Sequence, residues 1–154
     1  DVGKIGVDDA ILRKPGRLTD KEFSDIKNHT VIGSQILSRI SSMPELQYGA
    51  LYHHERWDGK GYPRGLKGEE IPEAARIIAV ADAYDAMTSN RSYRKALTQD
   101  CVHDEIVNGI GRQFWPPAAR AMLKMMDQDI HYDMRQKNDE SSQNDEQKYE
   151  YGIS

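Results

Sequence analysis

The sequence contains very little cysteine and no long apolar segment. Cys101 is the single cysteine among 154 residues, so an internal disulfide is excluded and a reducing, cytoplasmic location is expected. No apolar run approaches the roughly 18–20 residues that a membrane-spanning helix needs, and no secretory signal is visible. A longer parent protein could still be tethered to a membrane through other segments.

The sequence also lacks an excess of basic residues. It has 21 lysines and arginines against 25 acidic residues, which gives a net charge of -4. This balance argues against binding to a nucleic acid polymer, because such proteins usually present a basic surface. A small phosphate ligand remains compatible with it, since a few local cations or metal ions can reverse the potential inside a pocket.

Alternating strand patterns are absent, and the apolar spacing is helical almost throughout. TDKE at 19–22 has the capping-box pattern, and apolar residues follow it at steps of three and four up to Ile40. Pro44 and Pro72 stand at helix starts, residues 55–68 form a glycine-rich loop, and further helices are predicted at 98–108 and 116–129. The sequence predicts an all-α domain of antiparallel helices around one core.

Both ends of the sequence differ from this pattern. Residues 132–154 are polar, mix both charge signs and lack aliphatic periodicity, so we predict a disordered tail after a domain at 1–131. The first residues, DVGKIG, contain neither an initiator methionine nor a helix start, and we expect them to continue a longer protein.

Four features carry potential chemistry. They are acidic, basic or imidazole side chains: Asp1 with Lys4, His29, the pair His53–His54, and Asp82 with Asp85. Taken singly, His29 is typical of a hydrogen-bonded core histidine, and two acids one turn apart often just solvate a helix face. Taken together, imidazoles and carboxylates without thiolates predict a site for divalent iron, manganese or zinc.

The adjacent histidines point about 100° apart on a regular helix, so they could reach two different metal ions. Two ions could hold an attacking water and the phosphoryl oxygens of an in-line displacement. Lys4, Arg91, Arg94 and Lys95 are nearby cations that could neutralise a phosphodiester. The alternative for RSYRK is a solvent-exposed basic helix end.

Two segments resemble a known family. DVGKIG resembles the end of HDxGKIG, the signature of the HD phosphohydrolases, and HHERWDGKGYP is similar to HHExxDGxGYP of the HD-GYP subfamily. The similarity continues through GLKGEEIP and ARIIAVADAYDAMTSNRSYRKA, so it covers residues 1–97. GRQFWPPAARAMLKM resembles the closing helix, although FWP stands where the family has FDP.

The resemblance implies an HD-domain-like helical bundle that hydrolyses cyclic di-GMP to linear pGpG and in some cases GMP. It implies two or three divalent metal ions, iron or manganese favoured. Their ligands would be Asp1, His29, His53, His54 and Asp82. Asp1 and Lys4 would be catalytic, with Lys4 near the scissile phosphate. Substrate contacts would come from Tyr62, Asp85, Arg91 and Arg94. Gly61, Tyr62 and Pro63 would contact GGDEF-domain partners, and a sensory or receiver domain would precede this one.

The family pattern also places a histidine immediately before Asp1 and further ligands upstream. We therefore expect a chain without them to have an impaired metal site. Two other functions stay open: a non-catalytic HD-GYP module that binds cyclic di-GMP or a GGDEF partner, and a hydrolase of another nucleotide, such as a deoxynucleotide or an alarmone.

Overall fold

The computed structural model describes residues 1–14, 16–90 and 95–135, and the regular structure in these ranges is helical. The elements, in chain order, are a 3-10 helix at Val2–Gly6, α1 (Asp9–Leu12), α2 (Asp20–Lys27), α3 (His29–Leu37), α4 (Glu45–Tyr52), a 3-10 turn at Gly68–Glu70, α5 (Glu73–Thr88), α6 (Gln99–Gly109) and α7 (Pro116–Gln128). No β-strand occurs in the described ranges, so the predicted all-α class is confirmed.

Helix starts follow the signals in the sequence. The Thr19 hydroxyl accepts the Glu22 N–H at 3.3 Å, and the Glu22 carboxylate accepts the Thr19 N–H at 2.7 Å, which completes the predicted capping box. Pro44 and Pro72 stand immediately before α4 and α5, and the Thr98 hydroxyl caps α6. The two threonine hydroxyls accept N–H groups that have no partner inside the helix, and the prolines stand at helix starts, where no backbone donor is required.

The apolar core lies where α5, α6 and α7 meet. Its buried members are aliphatic, aromatic or thioether side chains: Val80, Tyr84, Val102, Ile106, Phe114, Ala119 and Met126. The predicted apolar surface of α5 divides, because Val80 and Tyr84 enter this core whereas Ile77 and Ile78 are exposed. This core holds α5 rigidly, and α5 carries Asp82 and Asp85 on its other side.

A second layer, formed by α3, α4 and the first 3-10 helix, packs against α5. Gly3 allows the closest approach within it. A Cβ atom at Gly3 would overlap the carbonyl oxygen of His29 and stand 2.9 Å from the Cα of Gly33. The glycine in DVGKIG therefore lets the N-terminal segment lie directly on the backbone of α3, which brings Asp1 beside His29.

The last described residues return to the core. Met134 packs against it, and the Arg135 guanidinium donates to the Gln99 side chain at 2.9 Å and to the Leu97 carbonyl at 3.1 Å. Residues 136–154, most of the predicted tail, lie outside the described residues, so the boundary at residue 131 stays a prediction. Among the helices that are described, none combines the length and apolar character of a bilayer span.

Candidate metal centre

Asp1, His29, His53 and His54 gather at one place, which we call the acceptor cluster. Each offers one ligand atom, and these atoms all lie within 4.8 Å of one another. Asp1 precedes the first 3-10 helix, His29 opens α3, and the two other histidines follow the end of α4. Three separate elements therefore contribute to the cluster, and the Gly3 contact supplies the carboxylate.

Hydrogen bonds fix which ring nitrogens are free in two of these histidines. The Nδ1 atom of His29 lies 2.6 Å from the Ile26 carbonyl, and that of His53 lies 2.8 Å from the Ala50 carbonyl. Since a carbonyl oxygen only accepts, both Nδ1 atoms carry the proton and donate it. In the neutral rings, both Nε2 atoms are then bare lone pairs.

The two Nε2 atoms of His29 and His53 face each other at 3.5 Å. Asp1 Oδ1 lies 3.4 Å and 3.7 Å from these same nitrogens. Three acceptors thus converge with no proton between them, an arrangement that is repulsive unless a cation joins them. Imidazole nitrogens with backbone-bonded Nδ1–H groups and a carboxylate oxygen form a typical donor set for a divalent transition metal, so the residues fit a metal site.

Burial keeps these rings neutral. His29 and His53 are 1% and 4% exposed. Burial lowers the pKa of both and is the largest influence on each, and the Asp82 carboxylate partly opposes it. Burial and then the neighbouring His53 lower the pKa of His54 to about 3. Neutral imidazole is the form that coordinates a metal, so the cluster is ready to bind without first losing protons near neutral pH.

His53 and His54 lie closer together than a regular helix predicts. Their ring centroids are 4.2 Å apart, and both rings offer nitrogens to the same acceptor cluster. Helix α4 ends at Tyr52, and both histidines lie in the turn that follows. That the two rings reach two different metal ions stays a prediction.

Asp82 lies next to the acceptor cluster but outside its tight group of four. It lines one cleft with His53 and His54 and a second cleft with Asp1 and Asp85. Asp85 accepts the Ser89 hydroxyl at 3.4 Å. Both carboxylates therefore face the site, and their predicted roles as metal ligand and substrate contact stay predictions.

The predicted basic residues divide into described and undescribed ones. The Lys4 ammonium donates to Asp1 Oδ2 at 2.5 Å, so it stands beside the acceptor cluster and leaves Asp1 Oδ1 facing the histidines. Arg91 and Arg94 lie outside the described residues, and their contacts with substrate stay predictions.

A cleft of about 450 Å³ opens beside His53 and His54, a volume within the usual range for small-molecule sites. Tyr62 forms part of its wall and stacks on His54, with ring centroids 4.8 Å apart and ring planes 28° from parallel. Burial raises the pKa of Tyr62 to about 12, so its phenol stays protonated and can donate a hydrogen bond.

The loop that holds Tyr62 has two constrained neighbours. A Cβ at Gly61 would come within 2.5 Å of the His54 carbonyl oxygen and the Glu55 Cα, so only glycine fits there. The Tyr62–Pro63 peptide is cis, and Pro63 is exposed. Gly61 and Pro63 thus flank the aromatic ring that covers His54.

Three residues of this region were not predicted as functional. Glu55 is 3% exposed and accepts the backbone N–H groups of Arg64, Gly65 and Leu66 at 2.7, 3.1 and 3.0 Å, which anchors the loop. Phe23 and Lys27 line the same cleft as His53 and His54. Glu55 belongs to the HHE signature, which is a usable signal. Phe23 continues the apolar spacing of α2 and is indistinguishable from a core residue in the sequence.

Comparison with known proteins identifies the family of this chain. The sequence model of a family described as the HD domain matches residues 1–112. The chain belongs to the HD domain family. The family and the fold predicted from the sequence are therefore confirmed.

Curated relatives of this HD domain have related names. It is 48% identical over 147 residues to a cyclic di-GMP phosphodiesterase of Thermotoga maritima. The matched region covers 94% of this chain and 40% of that relative. It is 46% identical over 127 residues to the cyclic di-GMP phosphodiesterase response regulator RpfG of Xanthomonas campestris, covering 80% and 33%. It is 39% identical over 132 residues to a 3'3'-cGAMP-specific phosphodiesterase of Vibrio cholerae, covering 84% and 25%. The chain thus spans 40% or less of the length of these relatives, whose names agree with the HD-GYP resemblance.

Proposed function

We propose that this HD domain is the catalytic part of a metal-dependent phosphodiesterase that hydrolyses cyclic di-GMP to linear pGpG, and in some cases to GMP. The observation that carries the proposal is the acceptor cluster, in which two bare Nε2 atoms and a carboxylate oxygen converge beside a ligand-sized cleft. The names of the relatives support the choice of substrate.

Asp1, His29, His53 and His54 would hold the metal ions, with Asp82 as a further ligand from α5. The nitrogen and oxygen donors, without thiolate, suit divalent iron, manganese or zinc, and the family resemblance favours two or three ions of iron or manganese. When bound, such ions supply Lewis-acid chemistry by polarising phosphoryl oxygens and acidifying water. The backbone carbonyls of Ile26 and Ala50 keep His29 and His53 in the ligating tautomer.

The remaining side chains would position the substrate and stabilise its charge. Lys4, held at the cluster by Asp1, offers a positive charge to the scissile phosphate. Tyr62 offers an aromatic face and a protonated hydroxyl from the cleft wall. Asp85, Arg91 and Arg94 are proposed substrate contacts on the strength of the family resemblance.

The test is hydrolysis of cyclic di-GMP by the intact protein with manganese or ferrous iron, with products separated by chromatography. We expect pGpG to accumulate with wild type and the double variant His53→Ala/His54→Ala to be inactive. His103→Ala is a matched control, because His103 is a half-buried histidine on α6 outside the cluster. Diesterase activity that survives the double substitution would refute the metal-hydrolase proposal.

A second candidate substrate is 3'3'-cGAMP, which the name of one relative at 39% identity favours. It differs from cyclic di-GMP in one base only, so the metal cluster would treat both alike and base contacts must discriminate. Parallel assays with both cyclic dinucleotides, a deoxynucleotide and an alarmone decide between these substrates. Tight binding of cyclic di-GMP without turnover of any of them would instead indicate a non-catalytic module.

The proposed partners follow from the same resemblance. GGDEF-domain proteins would dock on the loop Gly61–Pro63, where Pro63 is exposed, and a sensory or receiver domain would control the HD domain. The name of the Xanthomonas relative, a response regulator, supports the proposal of a receiver domain. A cytoplasmic location is proposed for the catalytic part.

A further inference from the structure

Phe23 and Lys27 line the cleft that opens beside the acceptor cluster, and we call these two residues the outer arm. They stand four residues apart on α2, so their side chains lie on one face of the helix. Both line the cleft that also contains His53, His54 and Tyr62. The outer arm therefore belongs to the same cavity as the acceptor cluster but comes from an element that contributes no residue to it.

The outer arm is a compact group of aromatic and cationic side chains. The Phe23 and Tyr62 ring centroids are 6.2 Å apart, with the ring planes at 77°. The Lys27 ammonium stands 4.4 Å from the Phe23 centroid and 5.5 Å from that of Tyr62. Since Tyr62 in turn stacks on His54, a continuous row of rings leads from the mouth of the cleft to the acceptor cluster.

Burial distinguishes Phe23 from a core residue. The sequence has two phenylalanines, and Phe114 is 3% exposed in the core whereas Phe23 is 45% exposed at the cleft. An aromatic ring that stays exposed to water is less favourable than one buried in the core, because its apolar surface is not removed from water. The same open face is what a planar base requires for stacking.

Charge pairing distinguishes Lys27 from the other lysine that approaches α2. Lys14 binds the Glu22 carboxylate at 2.7 Å. Within the described ranges, no carboxylate lies at ion-pair distance from the Lys27 ammonium, which lies close to the Phe23 and Tyr62 rings instead. Lys27 thus presents a positive charge to the cleft that no described acid neutralises.

We propose that the outer arm binds one nucleotide unit of the substrate, with the Phe23 ring stacking on a purine base and the Lys27 ammonium contacting an anionic phosphate oxygen or a purine carbonyl oxygen. This assignment rests on the proposed function, because it requires a purine dinucleotide in the cleft. Base stacking and a charge-assisted contact at one site recognise a nucleotide better than a simple phosphodiester. The outer arm determines specificity. It contributes to substrate binding and not to the chemical step.

The test measures binding without turnover. Cyclic di-GMP is titrated calorimetrically into the intact protein in the presence of a chelator. We expect Phe23→Leu and Lys27→Gln each to weaken binding about tenfold, the size of one lost stacking or charged contact. Phe23→Tyr keeps the ring, Lys27→Arg keeps the charge, and both should stay within about threefold of wild type. Lys21→Gln, an exposed lysine on the same helix outside the cleft, should bind like wild type.

A kinetic comparison separates the outer arm from a structural role. The KM for cyclic di-GMP should rise in Phe23→Leu and Lys27→Gln, whereas kcat should fall by much less than KM rises. A fall in kcat with KM unchanged, or cyclic di-GMP binding within twofold of wild type, overturns the outer arm while leaving the proposed function intact. Wild-type protein that neither binds nor hydrolyses a cyclic dinucleotide overturns both.

Discussion

The region where α5, α6 and α7 meet buries aliphatic and aromatic side chains, whereas the region around α3 and α4 buries histidine, threonine and glutamate. In the first region, Val102 and Ile106 stabilise the folded state simply because their apolar side chains are removed from water. In the second, each buried polar group needs a partner, and the partners are backbone groups: Thr30 donates to the Lys27 carbonyl at 2.9 Å, and Glu55 accepts three loop N–H groups.

The difference teaches where stability and function reside. Apart from the buried Tyr84 hydroxyl, which has no hydrogen-bond partner, the members of the apolar core need only packing, so this region can hold α5 in place. The polar region satisfies every hydrogen-bonding need of His29 and His53 except at the two facing Nε2 atoms. The domain thus uses one region as a scaffold and leaves the other with an unmet need that a cation would fill.

The largest effect is expected from opening the scaffold. Ile106 is fully buried, so Ile106→Ala should lower the free energy of unfolding by about 2–5 kcal/mol through lost burial and the cavity left behind. Chemical denaturation with manganese and with a chelator checks this, and the loss should be the same in both. A loss confined to the metal-loaded protein would contradict the division into two regions.

The next effect concerns the contact that delivers Asp1. Gly3→Ala should lower metal affinity by about 10–100-fold, because the new Cβ pushes the N-terminal segment off α3 and moves the carboxylate away from the histidines. Calorimetric titration with manganese measures it. Gly6→Ala is the matched control, since the three atoms nearest to its Cβ all belong to the Ile32 side chain, and the closest is the movable Cδ1. Equal affinities in the two variants would refute this role for Gly3.

Glu55→Gln tests the loop anchor. The amide oxygen can replace one carboxylate oxygen, but the NH₂ group cannot accept an N–H, so one bond to the loop is lost at a buried site. We expect a loss of about 1–3 kcal/mol in the free energy of unfolding, measured by denaturation. The exposed Glu69→Gln serves as the control. Unchanged stability in Glu55→Gln would mean that the loop is held by other contacts.

The smallest effect is expected from breaking the ion pair between Arg56 and Asp58. Arg56 donates to Asp58 at 2.8 Å, and this bond lowers the pKa of Asp58 from 3.8 to about 2. The pair therefore stabilises the folded state above about pH 4, and the contribution is lost as the pH falls through 2. The free energy of unfolding of wild type should be slightly higher than that of Asp58→Asn near pH 6, and this difference should disappear between pH 4 and 2. Thermal unfolding of both proteins measures this difference, and a difference that does not change with pH would contradict the role of the ion pair.

The sequence predicted the helices well because their causes are local. Thr19, Thr98, Pro44 and Pro72 mark helix starts through interactions within a few residues, and the structure confirms them. The acceptor cluster was predicted through the family resemblance, since no local rule connects Asp1 with His53 across more than fifty residues of sequence.

What the sequence did not predict depends on packing between elements. Phe23 continues an apolar spacing, and only the position of α2 beside the loop shows that it faces a cleft. The convergence of His53 and His54 depends on α4 ending at Tyr52. The position of Asp82 beside, and not inside, the tight group of four is likewise a result of how α5 packs against α4.

The central claim is that the facing acceptors of Asp1, His29 and His53 are joined by a divalent metal ion. Anomalous diffraction from crystals of the intact protein soaked in manganese tests it directly. The account predicts an anomalous peak at bonding distance from the two Nε2 atoms and from Asp1 Oδ1. A well-diffracting, manganese-soaked crystal with no peak there, or with peaks only elsewhere, would contradict the account.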